Sequence, residues 1–582
     1  MKILSLQHGH NSSVAYSDNG EIKCILSEER FTRIKNHQGF PVSCLKFIVD
    51  NFLDGSISNV GKIVIVDKSG LAAKFNCRKN FKPVNSMDLN GFIAIYSRRN
   101  FFYKNFKIFY KILKYIIFII KKKISYENYK SKLYDKYKLP KDKIVEFDHH
   151  LSHAATFSFF KNYNPNQKYL VFTLDGEGDF KSSTVNILKE DKFEIVSSNN
   201  SENSLGYFYL YVTAYLGLKP GEHEYKVMGM APYAKQERSN ILKEKLKKLF
   251  WIDKNGKIKS ITQSGNLMFE ISNIFKFSRF DEIARSSQEF LEEIVLEWVQ
   301  FWINKTKVDN IVVSGGVFMN VKLNKLIHEL DEVKTFFSVP SCTDDSLPIG
   351  GLFLENKKNN IEIKKINHLY YGRYYSKKDI NKFLEDKEIS RLYKIEKYEN
   401  FENLNQVVSE LLFKNEIIAR FFGKEEFGAR ALGNRSILCN PSEFSNINKI
   451  NSIIKKRDFW MPFTPSILQE VQHDYFYNPK GVESSYMSCT FASTDLAKDH
   501  LKAAIHPADG SIRPQIVKKD VNLEYYDLIN RFYNLSGIGS LLNTSFNLSG
   551  NPNVSSLENA IYTVTNSGLK YLILGNNLLR KL

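Results

Sequence analysis

The residues with the plainest chemical potential are two histidines spaced for one face of a helix. In Asp148-His149-His150-Leu151-Ser152-His153, His149 and His153 stand four apart. On an α-helix such residues project from the same side, so both imidazoles can grip one cation. Two imidazoles leave a site incomplete, and carboxylates at strand ends are the natural complement. Asp175 follows the apolar run Tyr169-Leu170-Val171-Phe172-Thr173-Leu174, and Asp344 lies in Pro340-Ser341-Cys342-Thr343-Asp344-Asp345, ahead of Gly350-Gly351. Two nitrogen and two oxygen donors suit a divalent transition metal such as iron, manganese or zinc. Each feature also has a plainer explanation: paired histidines on a helix cap or pack, and an aspartate ends many strands. His150 is expected outside such a set, hydrogen-bonded or exposed.

The elements that must position these residues belong to a chain of 582 residues, for which two or three domains are the prior. Hydrophobic residues make up 43%, enough to fill several cores and to exclude global disorder. The net charge of +19 attracts anions of any kind. The excess is largely lysine, accompanied by abundant Asn, Ile, Phe and Tyr, which is the bias of AT-rich coding rather than a signature of nucleic-acid binding. Cys24, Cys44, Cys77, Cys342, Cys439 and Cys489 form no close CxxC pair, so neither a zinc ribbon nor a disulfide framework is indicated. Reduced thiols in a cytoplasmic protein are the expectation. The N-terminal apolar run Met1–Leu6 is too short for a signal peptide and reads as a first buried strand.

Residues 1–30 read as a strand, a turn at Asp18-Asn19-Gly20 and a second strand, Ile22–Leu26, making a β-hairpin. Between 146 and about 362, strands such as Tyr169–Leu174 and Asn310–Ser314 alternate with helical stretches, the pattern of a layered α/β domain. A Lys- and Asn-rich stretch at 357–367 precedes a second α/β segment, so the division falls between 1–365 and 366–582. Residues 73–145, rich in Lys, Phe, Tyr and Ile, interrupt the first part as an insertion. Within it, the apolar run Tyr115–Ile120 is far too short to span a bilayer. Tyr103–Lys123 fits an amphipathic helix packed on the domain with its lysines in water; a peripheral membrane contact is the alternative.

Several strings, in order, resemble one family, the O-carbamoyltransferases of the nodulation-factor and cephamycin-biosynthesis type. They are Ser27-Glu28-Glu29-Arg30-Phe31-Thr32-Arg33, Asp148–Ala154, Tyr225-Lys226-Val227-Met228-Gly229-Met230-Ala231-Pro232-Tyr233, Ser314-Gly315-Gly316-Val317 with Asn320, Glu426–Ser436, Asp509–Gln515 and Asn543-Thr544-Ser545-Phe546-Asn547. The resemblance implies an α/β chain with an N-terminal ASKHA (actin, sugar kinase, Hsp70) double-lobed domain and a C-terminal YrdC-like α/β domain. It implies that the C-terminal domain forms carbamoyl-adenylate from carbamoyl phosphate and ATP, with Mg compatible with the ATP. The N-terminal domain then passes the carbamoyl group to a hydroxyl acceptor beside a bound metal, iron by preference. The implied ligands are His149, His153, Asp175 and Asp344, and the implied base is His10. Three departures stand out. His10-Asn11 replaces the usual His-Asp, Met461 replaces the Arg of a Phe-Arg-Pro-Phe string, and Gly550-Asn551-Pro552 replaces Gly-Glu-Pro.

Polyanionic substrates call for Arg forks and clustered backbone N–H groups. Arg430, Arg435, Lys455, Arg457 and Arg513 are the C-terminal candidates, with Gly428 and Gly433 allowing close backbone approach to a phosphate. Asn434, Asn543, Ser545 and Asn547 offer neutral hydrogen bonds for a carbamoyl amide or a ribose. In the N-terminal part, Gly315, Gly316 and Asn320 are placed to hold the adenylate, and Lys226 and Tyr225 to meet phosphate. For any single arginine a surface ion pair is the simpler account, and for asparagine a turn cap. The acceptor is a hydroxyl-bearing small molecule or glycan, and a homodimer is compatible with all of this. Two other functions compete: a threonylcarbamoyl-type tRNA-modifying transferase, and a non-catalytic scaffold that binds metal or nucleotide.

Overall fold

The computed structural model describes residues 1–68, 130–262 and 264–582. Five strands form a first sheet: β1 (Lys2–Gln7), β2 (Ser13–Asp18), β3 (Glu21–Ser27), β4 (Lys62–Ile65) and β5 (Ile144–Glu146), in the order β3-β2-β1-β4-β5. The first three strands run as an antiparallel meander; β4 and β5 add in parallel. Successive residues of β1 point to opposite faces, and both faces are buried. Leu4 and Leu6 enter one core while Ile3 enters another, which is why the strand reads as a continuous apolar run. The expected hairpin is there, turning at Asn19 and Gly20 with positive φ at both, as a two-residue connection requires. The single strand expected before it is two strands, because Gly9 and Asn11 also have positive φ and reverse the chain at His8–Ser12.

The second sheet repeats the first. Strands β6 (Tyr169–Gly178), β7 (Lys181–Lys189) and β8 (Lys192–Asn200) form the meander. After a small hairpin, β9 (Phe250–Ile252) with β10 (Ile258–Ser260), strands β11 (Asn310–Ser314) and β12 (Thr335–Ser338) add in parallel, giving the order β12-β11-β6-β7-β8. Two sheets of identical order and polarity are the double-lobed ASKHA layout that the resemblance implies. Their inner faces sandwich two helices, His149–Thr156 and Leu347–Lys358, which pack on each other.

A third, mixed sheet of eight strands is built wholly from residues 393–581: β13 (Tyr393–Lys397), β14 (Ile418–Phe421), β15 (Arg435–Cys439), β16 (Thr464–Leu468), β19 (Gln515–Val517), β20 (Ser540–Ser545), β21 (Tyr571–Leu574) and β22 (Asn577–Lys581), with the short pair β17 (Phe491–Ala492) and β18 (Ser511–Ile512) beside it. Its hydrophobic core is continuous with that of the second sheet.

Tyr103–Lys123 and most of the 73–145 insertion lie outside the described residues. The end of that stretch belongs to the first lobe: Leu133, Tyr134 and Leu139 are buried in its core and β5 pairs with β4. Among the described residues no helix is long and apolar enough to cross a membrane. The five described cysteines are free and buried.

The contact between the two central helices has no room for a side chain at Gly350. A Cβ there would meet the Ser152 carbonyl oxygen at 1.8 Å and its carbon at 2.8 Å, both backbone atoms that cannot rotate away. Gly350→Ala is therefore expected to destabilise the protein by at least about 1–3 kcal/mol, read as a lower melting temperature. An unchanged melting curve would show that the helices are not packed this closely.

Candidate metal centre and anion site

The helix that carries the histidine pair begins at Asp148, whose carboxylate caps it by accepting the Leu151 N–H at 3.1 Å. Lys181 from β7 holds the other oxygen of that carboxylate at 2.6 Å, and Asp179 accepts the His149 N–H at 2.8 Å. Capped and tethered, the helix turns His149 and His153 toward the ends of β6 and of the loop after β12. The rings lie 4.8 Å apart at 73°. His149 Nε2 is 3.6 Å from Asp344 Oδ1 and 3.8 Å from Asp175 Oδ2; His153 Nε2 is 3.4 Å and 3.2 Å from the same two atoms. One ligand atom from each of the four residues lies within 4.8 Å of the others.

This donor set fits a metal ion. Four ligands at roughly 2.1 Å from a common centre in a tetrahedron are separated by about 3.4 Å, and the observed separations bracket that value. Neither ring nitrogen of the buried His149 has a hydrogen-bond partner, a costly state for two polar atoms unless Nε2 serves a ligand at this centre. His153 is oriented from behind: its Nδ1 is 3.3 Å from Ser314 Oγ. Electrostatics point the same way. Burial pulls the His149 imidazole down, but Asp344 and Asp175 outweigh it and hold the ring up at about 10. Burial alone would raise the Asp175 carboxyl; the charge of the two imidazoles and the hydrogen bond from His153 hold it well below the usual carboxylate range. Two buried carboxylates facing each other need positive charge between them.

The surroundings make space for the four side chains. A Cβ on Gly178 would fall 2.1 Å from the His149 ring, and one on Gly316 would lie 3.1 Å from Asp175 Oδ1. Gly316 thus makes room for the Asp175 carboxylate, while Gly315 packs on the Leu174 backbone just before it. The neighbouring carboxylate, Asp345, turns away to accept hydroxyl bonds from Ser341 and Thr343. His150 bonds Thr173 Oγ1 and the Lys181 carbonyl, away from the four. Of the supporting residues, Ser314 and Gly316 sit inside a motif; Gly178 and Asp179 carry no sequence signal beyond a Gly- and acid-rich turn.

His10 lies on the β1–β2 turn, half-buried, and that turn is tied to the metal loop where Ser13 Oγ donates to the Asp345 carbonyl at 2.8 Å. Gln38, at 3.2 Å from His10 Nδ1, orients the ring. Asn11 instead serves the turn with φ 52, a conformation that asparagine tolerates. Asn320 caps the helix Val321–Glu329 and exchanges two hydrogen bonds with Gln288. Lys226 pairs with Asp458 at 3.0 Å, across to the C-terminal part.

Among the C-terminal candidates the structure separates two groups. Arg435, Asn434 and Asn543 are interior scaffolding. Arg435 is fully buried, donates to the carbonyls of Phe422, Asn434, Arg373 and Gly423, and lies 3.6 Å over the Phe421 ring. Asn434 Oδ1 accepts from Arg420 and Asn522, and Asn543 Nδ2 is bonded to Ala431, Ser466 and Gln515. Contrary to expectation, the polar groups of these three are spent on neighbouring carbonyls and side chains of the interior. The second group is Arg430, Arg457, Arg513 and Lys455 with Ser545 and Asn547. Lys455 Nζ donates to Ser545 Oγ at 3.1 Å and Asn547 Oδ1 at 2.7 Å, and Arg457 donates to Thr544 Oγ1 at 3.1 Å. Burial lowers Arg430 to about 10, with repulsion from Arg457 added; burial, Arg430 and Arg457 lower Arg513 further; burial and Arg457 lower Lys455. None of the four forms an ion pair with a described carboxylate. Clustered cations without counter-charge suit an anion. The cluster adjoins the metal loop, since a Cβ on Gly428 would come within 2.9 Å of Ser341.

The two parts of the chain are strapped together by the Ser27–Arg33 segment. Arg30 donates to the Gly428 carbonyl at 2.9 Å and sits 3.4 Å from the buried Glu425 carboxylate; Arg33 donates to the carbonyls of Pro552 and Asn553.

A family model described as the carbamoyltransferase N-terminus matches residues 2–352, and one described as the carbamoyltransferase C-terminus matches 409–581. The chain belongs to the carbamoyltransferase family and is a transferase enzyme. It is 31% identical to an uncharacterised protein of Methanocaldococcus jannaschii over 100% of this chain and 99% of that one. It is 29% identical to the nodulation protein NolO of Bradyrhizobium diazoefficiens, covering 75% of this chain and 79% of the relative. With the 3'-hydroxymethylcephem-O-carbamoyltransferase of Amycolatopsis lactamdurans it shares 25% identity over 46% of this chain and 48% of the relative.

The contrast between the two arginine groups is measurable. Arg435→Ala strands several buried carbonyls and is expected to cost more than about 2 kcal/mol of stability. Arg430→Ala relieves like-charge repulsion and is expected to change stability by less than about 1 kcal/mol. Chemical denaturation of both variants reads the difference; equal losses would mean that Arg430 is scaffolding too.

Proposed function

We propose that the chain is an ATP-dependent O-carbamoyltransferase with two linked sites. At the cluster of Arg430, Lys455, Arg457 and Arg513, water cleaves carbamoyl phosphate to carbamate and inorganic phosphate, and a carbamate oxygen then attacks the α-phosphorus of ATP, displacing pyrophosphate and forming carbamoyl-adenylate. Guanidinium forks suit this work because they neutralise charge on several phosphate oxygens at once. Ser545 and Asn547, which already surround Lys455, supply neutral hydrogen bonds beside that charge.

The carbamoyl group then passes to a hydroxyl of a sugar, glycan or natural product at the N-terminal site, with AMP leaving. His149, His153, Asp175 and Asp344 would hold a divalent ion, iron by preference, which supplies Lewis-acid polarisation of a carbonyl or acidification of a hydroxyl. His10 is the candidate for taking the acceptor proton. For that, Nε2 must be the unprotonated nitrogen; as placed, Gln38 Nε2 donates to Nδ1 and favours the other tautomer, so this role requires the Gln38 carboxamide turned over. Gly315 and Gly316, pressed against the Asp175 side of the centre, allow a nucleotide to come near it. Asn320 and Lys226, committed to Gln288 and Asp458, support that region by holding its helices in place.

The observation that supports this most is the convergence of two imidazoles and two carboxylates from distant parts of the sequence, with an uncompensated cationic cluster against the loop bearing one of them. The test separates the two half-reactions. Wild-type protein should release pyrophosphate from ATP only when carbamoyl phosphate is present. His149→Ala should lose bound metal and transfer to acceptor, by at least about a hundredfold, while retaining that release. No carbamoyl-phosphate-dependent turnover of ATP in the wild type would overturn the proposal, and a His149→Ala protein with full metal content would overturn the ligand assignment.

A further inference from the structure

The cationic cluster is built from residues 430–513, yet the N-terminal part reaches into it at two points. Loop 33–36 is fixed there by Arg33, bonded to the carbonyls of Pro552 and Asn553 just beyond Asn547, and by Asn36, whose Nδ2 donates to the Gly221 carbonyl at 3.1 Å. The helix Glu224–Met230 is fixed by the Lys226–Asp458 pair and by Gly229, over which the Trp460 carbonyl lies so closely that a Cβ would be 3.3 Å away. Asp458 follows Arg457 directly, so both anchors bracket the Lys455–Arg457 segment.

Between these anchors stand Lys35 and Tyr225. Lys35 Nζ lies 5.9 Å from the Tyr225 ring centre and 3.3 Å from Glu222. Tyr225 is 36% exposed, although flanked by anchored residues. The electrostatics agree: Tyr225 acts on both Arg430 and Arg457, and Lys35 acts on Lys455. A further cation near a cluster of four that lacks counter-charge, itself paired only with Glu222, adds to a field that favours a polyanion. A phenol hydroxyl beside two guanidinium groups is a donor suited to a phosphate oxygen.

We propose that Lys35 and Tyr225 complete the phosphate-binding site of the C-terminal cluster, so that this site is shared between the two parts of the chain and is whole only when they are docked. Tyr225 donates its hydroxyl to a phosphate oxygen. Lys35, held by Glu222 in the free protein, adds charge to the same anion. The ligand is a phosphate ester or anhydride; identifying it as carbamoyl phosphate or ATP rests on the proposed function above. The inference also gives the Tyr225-Lys226 pair a division of labour: lysine docks, tyrosine binds.

The experiment is run on the full chain with Tyr225→Phe, which keeps the ring, and with Lys35→Gln and Lys35→Arg. Binding of inorganic pyrophosphate is measured by titration calorimetry, and the KM for carbamoyl phosphate in the pyrophosphate-release assay. Tyr225→Phe is expected to weaken pyrophosphate roughly tenfold, the scale of one hydrogen bond to a charged group. It should raise KM by a similar factor with kcat changed less than about twofold. Lys35→Gln should weaken binding about threefold or more and flatten its salt dependence, and Lys35→Arg should restore it. Metal content and melting temperature should match wild type in all three. Wild-type pyrophosphate affinity in both Tyr225→Phe and Lys35→Gln would overturn the proposal. Calorimetry needs no turnover, so it decides this point even if the wild type shows no carbamoyl-phosphate-dependent activity, a result that would count against the proposed function alone.

Discussion

Two carboxylates held face to face inside a protein repel each other, and the structure around Asp175 and Asp344 is arranged to keep them there. Asp175 ends its run in β6 beside Gly316, and Asp344 arrives on a loop whose other acid is occupied by its own hydroxyls. The histidine helix is capped by Asp148, tied by Lys181 and packed on a glycine of the neighbouring helix. All of these restraints hold negative charge and imidazole within reach of one point. The arrangement resists relaxation, and only a cation at that point turns it from a cost into a gain.

The same logic operates with opposite sign a short distance away. Arg430, Arg457, Arg513 and Lys455 are gathered without carboxylates, so a polyanion is the partner that stabilises them. Contact between Gly428 and Ser341 joins this site to the loop of Asp344, and the buried Arg30–Glu425 pair fixes the two parts of the chain in that relation. Breaking one partner of such a pair costs about 3–5 kcal/mol. Under the proposed function, a fixed relation of the two parts would let a reactive intermediate pass between sites without loss to water.

Much of this was legible in the residues. The spacing of His149 and His153 and the apolar strand ending near Asp175 singled out three of the four side chains that converge, by periodicity and strand-end rules. The hairpin at Asn19-Gly20 and the strand Asn310–Ser314 followed from turn chemistry and β-branched runs. What periodicity could not show was which polar residues face inward. Arg435 lies five residues from Arg430 in the same Gly-punctuated motif, yet one is a buried crossbrace for backbone carbonyls and the other stands among cations without counter-charge. Asn320 and Asn543 look like ligand contacts in sequence and are spent on a helix cap and an interior network. Gln38, Lys35 and Gly178 had no signal, because their roles come from contacts between segments far apart in the chain. The break in the first strand comes at Gly9–Ser12, where the backbone takes positive φ at Gly9 and Asn11 and bonds to Gly39 and His37, partners far along the chain.

The central claim is that one cation sits between His149, His153, Asp175 and Asp344. Anomalous diffraction from crystals of the full chain, collected above and below the absorption edges of iron, zinc and manganese, tests it without reference to turnover. The expected result is a single strong peak within bonding distance of both Nε2 atoms and of one oxygen from each carboxylate, at one element's edge. Four side chains converging on a point with no peak in metal-replete crystals, or a peak bound by other residues, would contradict it.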